Sequence, residues 1–244
     1  MHKFFVPEKS ILKGKIIITD EKQLHHMYGV LHLKVNEPLK AFDEKGSVYS
    51  CTLESLSAEK AVLAIREKCF PEAKKKPAVT IACAIPKKSK FDDIIDKLTQ
   101  LGVEKIIPLK TERVVVKLNK EKEAARMIRW QKITLAAAEQ SQRNDLVILE
   151  DVQSLKEVLQ RVGNYDLKII PTLEGNRRSL KEIFLQTQAK KILALVGPEG
   201  DFTPIEVELA RKAGCIPVSL GDLVLRVETA AVAVASFLML NEDH

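Results

Sequence analysis

From residue 78 onward, short apolar runs alternate with longer amphipathic segments, and that alternation leaves few folds open. The runs are Val79–Ala84, Lys105–Leu109, Leu146–Leu149, Leu167–Pro171, Ile192–Val196 and Ile216–Ser219. Each has strand length and is nearly continuous in apolar residues, as a strand covered on both faces must be. Strands separated by helices join in parallel, so this part of the chain is predicted to be an α/β domain around a largely parallel sheet. Its first helix is well signalled. Ser89 can cap it, Phe91, Ile94, Ile95, Leu98 and Leu101 form one apolar face, and Gly102 ends it. A second helix is read from about Lys120 to Ser141, and a nearly all-apolar one runs through Leu240 and must be buried on most sides.

Before residue 71 the pattern is different. Short strands are read at Phe4–Val6, Ile16–Thr19, Leu39–Asp43, Val48–Leu53 and Ala61–Glu67, with a hairpin turn at Glu44-Lys45-Gly46. One helical segment interrupts them near Asp20, with Leu24, Met27, Val30 and Leu31 at helical spacing. Together they suggest a small β-barrel-like module. Between the two patterns lies Pro71-Glu72-Ala73-Lys74-Lys75-Lys76-Pro77, where two prolines bracket a lysine run; the domains are therefore drawn as 1–71 and 77–244.

With 45% hydrophobic and 30% charged residues, the chain can bury a sizeable core. The net charge of +6 is uneven. Residues 1–150 carry 28 Lys and Arg against 20 Asp and Glu, while residues 151–244 carry 11 against 13. That excess permits nucleic acid as a partner without proving it, and for a generic protein a solvated surface is the favoured explanation. Cys51, Cys69, Cys83 and Cys215 lie far apart with no ligand spacing, which points to buried reduced thiols and to no metal. No run is long and apolar enough for a membrane span, and the expected location is the cytoplasm.

In an open α/β sheet, ligands bind beyond the carboxyl ends of the strands, so the loops after strands are searched first. After Ile192–Val196 comes Gly197-Pro198-Glu199-Gly200-Asp201-Phe202, then Thr203-Pro204-Ile205-Glu206, a capping box with proline at the first helical position. Its two glycines let the backbone approach a ligand closely, while an ordinary βα turn would look the same. After Ile216–Ser219 comes Leu220-Gly221-Asp222-Leu223-Val224-Leu225-Arg226-Val227-Glu228. Arg226 and Glu228 at the edge of an apolar segment should pair with each other, with a ligand or with RNA phosphate. A third loop, Thr172-Leu173-Glu174-Gly175, follows Leu167–Pro171. No G-x-G-x-x-G, P-loop or G-x-S-x-G signature is present, which disfavours dehydrogenases, P-loop enzymes and serine hydrolases.

Five ordered segments together resemble the RsmE family of 16S rRNA (uracil-N3) methyltransferases. They are Gly197-Pro198-Glu199-Gly200, Leu220-Gly221 through Leu225-Arg226-Val227-Glu228-Thr229-Ala230, Asp96 through Val103, Thr111-Glu112-Arg113, and Ala138-Glu139-Gln140-Ser141-Gln142-Arg143. His2-Lys3-Phe4-Phe5-Val6 and His25-His26 resemble the same family's N-terminal module. The resemblance implies a PUA-like RNA-binding β-barrel over 1–71 and, over 77–244, a SPOUT methyltransferase domain whose C-terminal chain forms a trefoil knot, an exception to the usual absence of knots. It also implies a homodimer. Asp201 stands where a second glycine is typical, Leu223 where arginine is, Val114 where serine is, and Tyr28 and His32 where arginines are common.

Carried onto this chain, the resemblance places S-adenosylmethionine against Thr172, Leu173, Glu174 and Gly175, against Val196, Gly197, Pro198 and Gly200, and against Ser219, Leu220, Gly221, Val224 and Leu225. Arg113, Glu199, Arg226 and Glu228 are the catalytic candidates, with Glu199 or Glu228 able to accept a proton or merely to fix loops. Lys3, Arg126, Arg129, Lys132, Gln140 and Arg143 are the candidate contacts to ribosomal RNA, within the small ribosomal subunit. The target base must be unpaired or flipped out, because N3 lies on its pairing edge. Two other readings stay open: a SPOUT enzyme acting on another RNA such as tRNA, and a noncatalytic RNA-binding assembly protein.

Overall fold

Strand residues in the second half of the chain send alternate side chains into two separate cores, as the period of two in a pleated strand requires. Ile192, Ala194 and Val196 enter one cluster, and Leu193 and Leu195 the other. Val79, Ile81 and Cys83 divide from Ala82 in the same way. A sheet with apolar residues on both faces needs helices on both, and it has them. The computed structural model describes residues 1–69, 76–87, 90–113 and 120–240, and these fall into two compact units.

The second unit covers Lys74–Ala137 and Val147–His244. Its strands are β7 Ala78–Ala84, β8 Lys105–Lys110, β9 Ile148–Leu149, β10 Gln153–Ser154, β11 Leu167–Pro171, β12 Arg178–Ser179, β13 Lys191–Val196 and β14 Ile216–Ser219. They form one sheet in the order β10-β8-β7-β13-β11-β14-β12, with β9 also on β8, and every pairing is parallel. The helices are α2 Lys90–Gln100, α3 Lys120–Gln140, α4 Leu155–Leu159, α5 Leu180–Leu185, α6 Pro204–Lys212 and α7 Val227–Leu240. Residues of α2, α5 and α7 join Trp130 of α3 in the larger cluster, while α4 and α6 supply the smaller one on the opposite face. The α2 face is as read from its periodicity: Phe91, Ile94, Ile95 and Leu98 are fully buried. Its expected cap, Ser89, lies outside the described residues. In α7, Val227, Ala231, Val234, Ala235, Leu238 and Met239 are buried, whereas Thr229, Ala233 and Leu240 are exposed.

The first unit covers Met1–Ala73 together with Ala138–Leu146. Its strands are β1 Lys3–Phe5, β2 Ile11–Leu12, β3 Lys15–Ile18, β4 Pro38–Phe42, β5 Val48–Leu56 and β6 Ala61–Cys69. They pair in the order β1-β4-β5-β6-β3-β2, antiparallel except for β1 on β4, and register shifts at Ser50/Cys51 and Leu53/Ser55 irregularise the β5–β6 ribbon. The hairpin at 44–46 is present. The Asp43 carboxylate accepts from the Lys45 and Ser47 N–H groups and the Tyr49 hydroxyl, and Gly46 takes φ +78°.

The helix near Asp20 differs from its reading. Asp20 caps α1, Glu21–His25, but His26–Val30 continues as a π-helix, with Leu31 N–H bonded to the His26 carbonyl. Its wider winding takes Val30 out of the Leu24/Met27 face, leaving it exposed. The assignment of 138–146 to this unit had no signal in the linear pattern. It rests on Glu139, which accepts from Phe5 N–H and the Gln23 amide, and on Lys3, which donates to the Gln142 carbonyl at 3.1 Å. Residues 71–75 of the expected linker lie outside the described residues. Cys51, Cys83 and Cys215 are buried, and burial pushes the Cys51 and Cys215 thiols up to about 11; Cys69, at the end of β6, is exposed, which corrects the expectation for that residue. Among the described residues no helix is long and apolar enough to cross a membrane.

Candidate functional site

The chain leaves β11, returns as β13 on one side of it, and returns again as β14 on the other. Three neighbouring parallel strands therefore deliver three loops to one sheet end, the place where open α/β sheets bind ligands. Between these loops lies a cleft of about 590 Å³. Of the expected cofactor contacts, Thr172, Leu173, Val196, Gly197, Pro198, Leu220, Gly221, Val224 and Leu225 line it. Glu174, Gly175, Gly200 and Ser219 do not, but two of them shape its walls. Ser219 Oγ accepts from Gly221 N–H at 3.2 Å, and the Gly200 carbonyl accepts from Arg113 at 2.6 Å. Gly221 adopts φ +117°, a conformation that favours glycine, although space for a Cβ is open there. Pro171, Arg177, Glu199, Asp201, Leu223, Val227 and Ala230 complete the lining.

Asp201 is the clamp between two of the loops. Its Oδ2 accepts from Thr172 Oγ1 at 2.9 Å and from Leu173 N–H at 2.7 Å, and its Oδ1 accepts from Phe202 N–H at 2.8 Å. Its φ of +60° is one that aspartate tolerates better than most residues. Glycine would fit this backbone, but it has no side-chain oxygen to bridge to the 172–173 segment. Asp201→Ala is expected to lower stability by about 1–3 kcal/mol through the lost bridges. Asp201→Gly should be the milder change by about 1 kcal/mol, because it removes the left-handed strain that alanine keeps. Urea denaturation of the two variants measures the difference, and equal stability would mean that the alanine variant has abandoned the loop conformation.

Glu206 completes the loop from below. It is 4% exposed, its Oε2 accepts from Thr203 N–H and its Oε1 from Glu112 N–H, so an ordinary capping box also fixes the segment before Arg113. Arg113 thereby stands against the Gly200 carbonyl. Glu199 lines the cleft and accepts from Lys87 N–H at 3.3 Å. Glu228 does neither. It pairs with Lys90 at 2.7 Å and not with Arg226, the partner within the chain that its position suggested. Burial opposes ionisation of Glu228, but the Lys90 hydrogen bond, its own backbone, and the Lys90 and Arg226 charges outweigh it and hold the carboxyl below its ordinary value. Arg226 is exposed between the lining residues Leu225 and Val227.

The expected RNA contacts separate into two groups. Arg126, Arg129 and Lys132 lie on α3; Lys132 is exposed and Arg126 half-buried, but Arg129 is paired with Asp92 at 2.6 Å. In the first unit Gln140 is exposed, whereas Arg143 is buried and bound to the Asp145 carboxylate and carbonyl. That burial removes Arg143 from the surface where phosphate would meet it. Lys3 is bound internally to Gln142 and Asn144 and lies over the Phe42 ring. Burial, then the Lys40 charge, lowers its pKa.

Comparison with known proteins gives a consistent result. A family model described as an RNA methyltransferase domain matches residues 73–239, and one described as an RNA methyltransferase PUA domain matches residues 18–66. A ribosomal RNA small subunit methyltransferase E of Synechocystis sp. is 32% identical over 99% of this chain and 78% of its own. One of Bacillus subtilis is 29% identical, over 97% of this chain and 95% of its own. The crystal structure of a ribosomal RNA small subunit methyltransferase E from Neisseria gonorrhoeae bound to S-adenosyl methionine matches with TM-score 0.85 at 28% identity, covering 98% of this chain and 97% of that one.

Proposed function

The chain belongs to the RNA methyltransferase family whose domain model spans residues 73–239, and from that premise we propose that it transfers a methyl group from S-adenosylmethionine to N3 of a uridine in small-subunit ribosomal RNA. The observation that carries this is the cleft between the loops after β11, β13 and β14, in a chain that matches rRNA methyltransferases over its full length. The residues present fit the cofactor. Gly197 brings bare backbone to the cleft wall where a Cβ would strike the buried Phe202 ring at 3.0 Å, and the lining combines apolar Leu173, Val196, Leu220, Val224 and Leu225 with a few polar groups. That mix suits a purine and a short aliphatic chain. When bound, S-adenosylmethionine supplies an electrophilic methyl group on a sulfonium.

The chain's own task is to exclude water, align the uracil and take the proton from N3. Alignment can contribute about 7–11 kcal/mol and a general base about 10²–10⁴-fold. Glu199, on the cleft wall, is the carboxylate placed for the proton; Glu228, committed to Lys90, acts as a loop support. Arg113, held on the Gly200 carbonyl, and exposed Arg226 are suited to orient the base or its phosphate. Lys132 and Arg126 on α3 extend a basic surface for RNA backbone.

The same reading includes a C-terminal trefoil knot, a homodimer, and work in the cytoplasm on the small ribosomal subunit. The path from β14, outside β11, back to an α7 packed on β7 and β13 is compatible with a knot. The test pairs two measurements. Calorimetric titration with S-adenosylmethionine should show one-to-one binding per chain. Separate incubations of undermethylated small subunits, naked rRNA and transfer RNA with labelled S-adenosylmethionine, followed by digestion to nucleosides, should yield labelled N3-methyluridine from the ribosomal substrates. Label only in transfer RNA, or binding of cofactor without transfer to any RNA, would overturn the assignment.

A further inference from the structure

Only three charged side chains line the cleft among the described residues: Arg177, Glu199 and Asp201. Asp201 spends its carboxylate on three protein donors, and Glu199 accepts from Lys87 N–H. Arg177 is the single cation. It projects from the stretch following the 172–175 loop, is exposed, and uses Nη1 to donate to the Thr172 carbonyl at 3.1 Å. That bond holds the guanidinium against the cleft wall while committing only one of its five donors. Neighbouring Arg178 turns elsewhere, donating to Gln186.

S-adenosylmethionine at neutral pH carries one carboxylate and two cationic centres, its ammonium and its sulfonium. To that carboxylate the cleft wall offers one counter-charge, the Arg177 guanidinium. A carboxylate has no other cation to meet among the lining residues, and a guanidinium fork matches a carboxylate in bidentate geometry. We propose that Arg177 forms the carboxylate subsite of the cofactor cleft, selecting ligands that bear an α-carboxylate. The proposal rests on the cofactor reading given above.

Arg177 also steadies the first loop through Thr172, so a loss of affinity in Arg177→Ala would not by itself separate the two roles. Varying the ligand does. Wild type and Arg177→Ala are titrated calorimetrically with S-adenosylmethionine and with its decarboxylated analogue, which keeps adenosine, sulfonium and amine. The wild type should prefer the carboxylated ligand by about 10-fold or more, and Arg177→Ala should bind the two with nearly equal affinity. A loop effect alone would weaken both ligands by the same factor and leave the preference standing. A preference that survives intact in Arg177→Ala, or a wild type that does not distinguish the ligands, would overturn the subsite. A wild type that binds neither ligand would instead remove the cofactor reading itself, and the subsite with it.

Discussion

Alanine at position 197 is expected to weaken S-adenosylmethionine binding by at least about 10-fold and to lower stability by about 1–3 kcal/mol. Gly197 follows β13 directly, and a Cβ there would stand 3.0 Å from two carbons of the Phe202 ring. The ring is 1% exposed and packed in the cluster with Leu195 and Ala210, so it has nowhere to retreat. Relief must come from the backbone of residues 197–201, which is the cleft wall and carries the Asp201 clamp. Leu225→Trp makes a useful contrast. Leu225 is half-buried and lines the cleft from the third loop, outside the three core clusters, so a larger side chain there should block the ligand at little expense in stability. Calorimetry and urea denaturation on both variants separate the effects. Wild-type affinity in Leu225→Trp would move the cofactor out of this cleft; unchanged stability in Gly197→Ala would mean that the Phe202 ring yields.

The parallel sheet was legible because its strands are buried on both faces, and continuous apolar runs such as Ile192–Val196 have no other use in a chain of this kind. β10 and β12 were not, since two-residue edge strands such as Gln153–Ser154 and Arg178–Ser179 carry no hydrophobic pattern to read. The placement of 138–146 with the first unit was equally hidden. It depends on Glu139 meeting Phe5 and Gln23 across more than a hundred residues, and such partnerships leave no local trace.

The site was legible through its turns rather than its charges. Glycine spacing and the Thr203/Glu206 capping box announced the second loop, and the structure holds both. Charged residues were harder because their roles depend on partners. Glu228 borders an apolar run and Arg143 lies in a polar one, and neither setting names the partner: Lys90 claims the first and Asp145 the second. Arg177 passed unnoticed since an Asn-Arg-Arg tract after a loop reads as solvated surface. Only the neighbouring loops make it a wall. Glu206 shows the same limit, for its second oxygen reaches Glu112, a contact that no capping signature implies.

Trp130→Ala should produce the largest stability loss of any single change considered, about 3–5 kcal/mol. α3 is long but weakly amphipathic, and along its length within the second unit Trp130 is its one large, fully buried side chain among the described residues. The indole lies 4.7 Å from the Phe91 ring, centroid to centroid, and its Nε1 donates to Asp92 at 3.0 Å. Truncation would open a cavity against α2 and remove a donor from Asp92, which Arg129 would still hold at 2.6 Å. Trp130→Phe keeps the ring contact and gives up the hydrogen bond, so it should lose only about 1–2 kcal/mol. Because the cleft is built from other elements, the phenylalanine variant should bind S-adenosylmethionine as the wild type does while α3, with Arg126 and Lys132, sits less firmly. Denaturation of both variants gives the ordering. A loss below about 1 kcal/mol in Trp130→Ala would mean that α3 repacks through Met127 and Ile133, the half-buried neighbours of the same cluster.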